Sequence, residues 1–145
     1  MNLPEALQQA RRFHGHLGPC VTIGLRLGYT ALERLQARPY FGLKIHAFCP
    51  PQPPPSCCLD GLQISTGCTL GKRNIEWTAS EEIKAHFLNV DTGQTLCLLL
   101  KPGLLEKAIG WMKNLGEEEA SLKIWHLPEE ELFDAITGFV TAPAM

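Results

Sequence analysis

The six residues 50–55 hold five prolines, immediately after Cys49. Proline has no amide hydrogen to give to a helix or a sheet ladder, and its ring fixes φ. No regular element crosses such a segment. It reads as an extended, polyproline-like connector that delivers the chain stiffly to Cys57. Before it, Phe41, Leu43, Ile45 and Ala47 alternate with Gly42, Lys44 and His46, the period of a strand with one buried face that must stop by Cys49.

Upstream, the spacing of Leu3, Leu7 and Ala10 predicts a helix capped by Asn2, accepting Pro4 in its opening turn and ending near Phe13. His14-Gly-His16-Leu-Gly18 then forms a connection, and Pro19 suits the first position of a new helix. From Pro19 to about Gln36, Val21, Leu25, Gly28, Leu32 and Leu35 recur at helical steps, and Gly24 and Gly28 on one stripe imply close approach of another backbone.

Downstream, a short helix is expected from Cys58 to Ser65, stopped at Gly67. Strand patterns follow at 75–78, 83–90 and 95–101, the last two joined by a turn at Asp91-Thr-Gly-Gln94. Pro102-Gly103 starts a helix that Gly116 can cap, Ser121–Trp125 reads as a strand, and Pro128 with Glu129–Glu131 as a further helix start. Helices at both ends around hairpin-joined strands predict an α+β fold, a largely antiparallel sheet packed with helices. At 145 residues and 45% hydrophobic content, the chain is expected to form one domain over 1–145.

The charge balance of 13 basic against 15 acidic residues, with no basic run, argues against a nucleic-acid partner. Apolar runs are far shorter than the roughly 20 residues a membrane helix needs, and charged residues interrupt any N-terminal signal core. The expected address is cytoplasmic. In that reducing setting the six cysteines read as ligands, nucleophiles or core residues rather than disulfide staples.

Imidazole and thiolate together suit zinc, nickel, copper or iron, so His14, His16, Cys57 and Cys68 are candidate ligands of one S2N2 metal site. The bland alternative leaves the histidines as polar loop residues and the cysteines in the core. A straight helix over 58–66 would also hold Cys57 and Cys68 roughly 15 Å apart. Either the chain doubles back, or one cysteine ligates, or ligands are exchanged across a symmetric dimer.

Cys20, at the second position of the long helix, is the candidate reactive thiol or an inward-turned small residue. Asp60 can orient a ligand, act as acid or base, or cap the short helix. Gly67-Cys-Thr-Leu-Gly71-Lys72 lacks the spacing and hydroxyl of a phosphate loop, leaving Lys72 and Arg73 as surface cations that can meet a small anionic ligand. Cys49, Cys58 and Cys97 read as structural, and His46, His86 and His126 as solvent-facing or hydrogen-bonded.

The run Phe13-His-Gly-His-Leu-Gly-Pro-Cys20, the Gly24 and Gly28 spacing, and the segment from Cys57 to Ile75 together resemble the FmdE family, that of the formylmethanofuran dehydrogenase E chain, over nearly the whole sequence. The resemblance implies an α+β core, homodimers, and motif residues gathered in a cleft near the contact between protomers, with metal, often zinc, in several members. It puts His14, His16, Cys57, Asp60, Cys68 and Lys72 on motif positions. Gly18 stands where many members carry cysteine and Arg73 where glycine is usual, and the resemblance is expected to concern the core domain alone, without the C-terminal cysteine-rich zinc module of some members.

Three functions compete at this level. The first is a dimeric accessory domain binding a transition metal, zinc foremost with nickel or iron as alternatives, in metal handling or molybdenum/tungsten enzyme metabolism, where it can join a larger oxidoreductase complex. The second is a stand-alone metal- or thiol-dependent enzyme acting on a small anionic substrate, with Cys20, Asp60 and Lys72 as its candidate catalytic residues. The third is a docking subunit without metal.

Overall fold

A computed structural model describes residues 3–140, and its long helix organises the rest. That helix, α2 (Pro19–Leu35), follows α1 (Glu5–His14) and leads to β1 (Leu43–Cys49). The chain continues through a single 3-10 turn at Pro55–Cys57 into α3 (Cys58–Thr66), then β2 (Ile75–Ala79), β3 (Lys84–Asn89) and β4 (Gln94–Leu100). It closes with α4 (Leu104–Leu115), α5 (Glu117–His126), a one-turn α6 (Glu129–Leu132) and β5 (Phe133–Phe139).

The five strands form one sheet in the order β2-β1-β3-β4-β5. Only the β1–β2 pairing is parallel, with α3 in the crossover between them; the other three are antiparallel. This is the predicted α+β architecture. Leu43, Ile45, Ala47 and Cys49 of β1, with Ala85, Phe87, Leu96 and Leu98, turn one sheet face inward against Ile23, Leu27 and Leu62 of α2 and α3. The opposite face, carrying Lys44, His46, Phe48, His86 and Cys97, stays half-buried or exposed. A smaller core of Leu7, Ala10, Leu17, Val21 and Leu25 ties α1 to the start of α2.

The expected close approach along the Gly24–Gly28 stripe is present, and α3 is its partner. A Cβ added to Gly24 would sit 2.1 Å from the Cys58 carbonyl oxygen, and one added to Gly61 would sit 2.0 Å from that of Val21. Two glycines therefore let the backbones of α2 and α3 touch where any larger residue would hold them apart.

Four expectations need correction. The proline segment bends instead of running extended: the amides of Ser56 and Cys57 donate to the carbonyls of Gln52 and Pro54, folding the chain back at its few non-proline positions. His14 ends α1 rather than lying in the connection, because Gly15, at φ 96°, supplies the left-handed C-cap one residue later than expected. Residues 121–125 belong to α5, whose three leading glutamates favour the positive end of the helix dipole and whose Ala120, Ser121 and Ile124 are buried at helical spacing. The helix started at Pro128 lasts one turn and gives way to β5, an edge strand with little alternation to betray it: only Phe133 is buried. The proposed cap Asn2 lies outside the described residues.

Candidate functional site

The N-terminus of α3 lies where β1 has ended and the proline bend has reversed the chain, and α1 closes over it. His14, in the last turn of α1, places Nδ1 2.5 Å from Oδ2 of Asp60, in the first turn of α3. The imidazole is well shielded, its side chain 10% exposed, while the carboxylate is 36% exposed. Fixing Nδ1 in this way leaves Nε2 as the nitrogen free for an ion or a proton.

His16 stacks beside His14, ring centroids 4.6 Å apart. Its Nδ1 is 2.9 Å from the Leu17 carbonyl oxygen and 3.0 Å from Oε2 of Glu117, at the start of α5. The Glu117 contact, then the Leu17 carbonyl, raises the His16 pKa above its ordinary 6.5. Both imidazoles are thus held through Nδ1 by an oxygen. Nothing in the sequence marks Glu117 as a site residue beyond the acidic run after Gly116, which reads equally well as a helix start.

Cys57 is half-buried against the smaller core, and burial, then the nearby Asp60 carboxylate, pushes its thiol up. Cys20 is the second residue of α2, as expected, but it is 1% exposed. Burial, then the neighbouring Cys57, pushes its pKa from 9.0 to about 12. The free amides of the helix start do not offset that desolvation, and of the two readings the sequence leaves open for Cys20 its burial favours the inward-turned small residue.

Cys68 is not brought to this group. It follows Gly67 at the far end of α3, fully buried in the main core, its thiol facing the backbone oxygens of Leu43 at 3.5 Å and Tyr40 at 3.7 Å. Lys72 lies near that end too, its Nζ 5.7 Å from the centroid of the Tyr40 ring and 5.9 Å from that of Phe41. A straight α3 separates the two halves of the motif. Among the described residues, no three His, Cys, Asp or Glu side chains are gathered to hold an ion as they stand. The donor chemistry fits a metal, with two oriented imidazoles and Cys57, but the set is incomplete.

Beside Asp60 opens a cleft of about 280 Å³, lined by Leu59, Gln63, Leu70, Trp77 and Glu76 among others. Its lining has two carboxylates and no cationic side chain. No described helix is long and apolar enough to cross a membrane.

Residues 13–143 match the family described as "FmdE, Molybdenum formylmethanofuran dehydrogenase operon". A protein of Archaeoglobus fulgidus described as a probable S-adenosyl-L-methionine-binding protein is 36% identical over 77 residues, covering 50% of this chain and 20% of the relative. The chain therefore spans about a fifth of that relative's length. Among solved structures, an FmdE-like protein from Syntrophus aciditrophicus, described as of the tungsten formylmethanofuran dehydrogenase type, superposes with a TM-score of 0.60 at 20% identity, covering 95% of this chain and 72% of that one. At that identity the likeness concerns the fold.

Proposed function

Because the chain belongs to the FmdE family, we propose that it is a dimeric transition-metal-binding domain, with zinc as the first expectation and nickel or iron as alternatives. It serves metal handling or the assembly of a molybdenum or tungsten enzyme. His14, His16 and Cys57 are the donors. The single observation carrying this reading is the His14–Asp60 contact, since a carboxylate that fixes one imidazole nitrogen orients the other toward a metal. Cys68, held in the core, supports α3 instead of ligating. The incomplete donor set suits an ion with an open position, filled by a substrate, a partner or the second protomer. Exposed Phe13, next to His14, supplies apolar surface for that protomer. When bound, such an ion would supply a Lewis acid beside the His14–Asp60 pair.

Elemental analysis of anaerobically purified protein tests the reading. The expected result is bound metal whose content falls by about one ion per chain or per dimer in His14→Ala and in Cys57→Ser and is unchanged in Cys68→Ala. Metal content unchanged by the first two substitutions would refute it.

The cleft favours a second reading, an enzyme or ligand-binding protein in which the His14–Asp60 pair moves a proton. Its carboxylates and exposed Trp77 suit a positively charged ligand with an aromatic group better than the anionic one expected from the sequence. S-adenosyl-L-methionine, named for the Archaeoglobus relative, is the compound to try. Saturable calorimetric binding that weakens in Asp60→Asn and Trp77→Ala would support it, and no detectable heat at millimolar ligand would remove it.

A further inference from the structure

The open face of the sheet carries a row of metal-ligating side chains that the site above does not use. Register pairs Glu76 of β2 with His46 of β1, His46 with His86 of β3, and His86 with Cys97 of β4. Directly opposed residues on one face of a sheet have Cβ atoms only about 5 Å apart. All four residues line one cavity of about 440 Å³ on this face, across the sheet from α3. Cys97, which reads as structural in the sequence, here points outward to a histidine.

We propose that His86, Cys97 and His46 form a second transition-metal site, one for a borderline divalent ion of the zinc class.

The nucleus of the site is in place. His86 Nε2 and Cys97 Sγ are 3.7 Å apart. With metal–nitrogen and metal–sulfur bonds of about 2.0 and 2.3 Å, that separation subtends about 119° at an ion seated between them, close to the trigonal angle. A linear two-coordinate ion would need the atoms farther apart. His46 is the third ligand and must turn toward β3, giving up the 2.8 Å hydrogen bond between its Nε2 and the Thr78 hydroxyl and the 3.5 Å contact of its Nδ1 with the Glu76 carboxylate. That turn is why no three donors converge in the ion's absence. Phe48, stacked on His46 at 4.4 Å between ring centroids and edge-on to His86 at 5.5 Å, forms an apolar wall beside both rings. Three protein ligands leave the fourth position of a tetrahedral ion open to the cavity. The Cys97 thiol loses its proton to solvent as the sulfur–metal bond forms, so one proton is released per ion bound.

This site is independent of the His14 centre, and cobalt(II) separates the two. The full-length protein is titrated with cobalt(II) under argon and the thiolate-to-cobalt charge-transfer band is followed, in the natural sequence and in Cys57→Ser, Cys97→Ser and His86→Asn. The band is expected to persist in Cys57→Ser and vanish in the Cys57→Ser, Cys97→Ser double variant. His86→Asn keeps every thiol and should weaken the Cys57→Ser band's apparent affinity at least tenfold, and His46→Asn less. Circular dichroism verifies that each variant is folded. A band absent from folded Cys57→Ser, or unchanged by Cys97→Ser and His86→Asn in that background, would overturn the proposal.

Discussion

His14 and Asp60 lie 46 residues apart in the chain, yet the imidazole Nδ1 of one and the carboxylate Oδ2 of the other are 2.5 Å apart. The contact joins the end of α1 to the start of α3 and fixes which histidine nitrogen faces away. Asp60→Asn keeps an oxygen that can accept from Nδ1 but removes the negative charge behind the ring. Chelator competition should show metal affinity at the His14 centre falling about 10–100-fold with the fold intact, the usual cost of losing such an orienting partner. An affinity unchanged by the substitution would mean that Asp60 serves only as a negative charge in the first turn of α3.

Gly24→Ala tests the frame that holds this pair. The new methyl group would start 2.1 Å from the Cys58 carbonyl oxygen, which is backbone and cannot swing aside. α3 must move off α2, at a cost of about 1–3 kcal/mol by urea unfolding. Cys57 and Asp60 would move with it, so metal affinity should fall in the same variant. A stability loss below a few tenths of a kcal/mol would show that the helices part easily there.

Much of this is legible in the sequence, and the losses have physical causes. The alternation from Phe41 to Ala47 and the turn at 91–94 mark real strands because one sheet face is buried; β5 escapes notice because both its faces are largely exposed and period two is lost. The Gly24–Gly28 stripe announces a touching backbone without saying whose. His14 meets both Asp60 and His16 at the start of α3, and Cys57 directly precedes that helix, though no three such side chains gather there among the described residues. Cys68 lies apart from them, since a helix that stays straight carries it to the far end, and sequence spacing cannot decide between a straight and a doubled-back path. Glu117 reaches His16 across 101 residues, a pairing no local pattern encodes.

The Cys20 thiol gives the fold a pH dependence of definite sign. Its pKa rises from 9.0 in the exposed chain to about 12 in the folded one, chiefly through burial. Its contribution to stability is full below pH 9.0 and is lost progressively as pH climbs toward about 12, because the unfolded chain gives up the proton first. Cys20→Ala should therefore flatten the alkaline fall in urea midpoint over that window. For the same reason, iodoacetamide at neutral pH should label Cys20 far more slowly than half-buried Cys57, with peptide mass spectrometry as the readout. Rapid labelling of Cys20 would restore it as a nucleophile.

Arg26 closes the other side of the frame. A single guanidinium nitrogen, Nη1, lies 3.1, 2.8 and 2.7 Å from the carbonyl oxygens of Ile124, Trp125 and Leu127, at the C-terminus of α5. The Ile124 oxygen also accepts from the Leu127 amide at 3.4 Å, and the cation faces the negative end of the helix dipole. Burial lowers the Arg26 pKa, but a guanidinium remains charged at physiological pH. Arg26→Met keeps the aliphatic stem and its packing while removing every donor, so the loss reports the polar contacts alone. Urea unfolding should show a decrease of roughly 1.5–3 kcal/mol, the range for hydrogen bonds to a charged group. Hydrogen exchange should show α5 amides losing protection more than those of α1. Equal loss in both helices would mean that Arg26 supports the whole core and has no particular hold on α5.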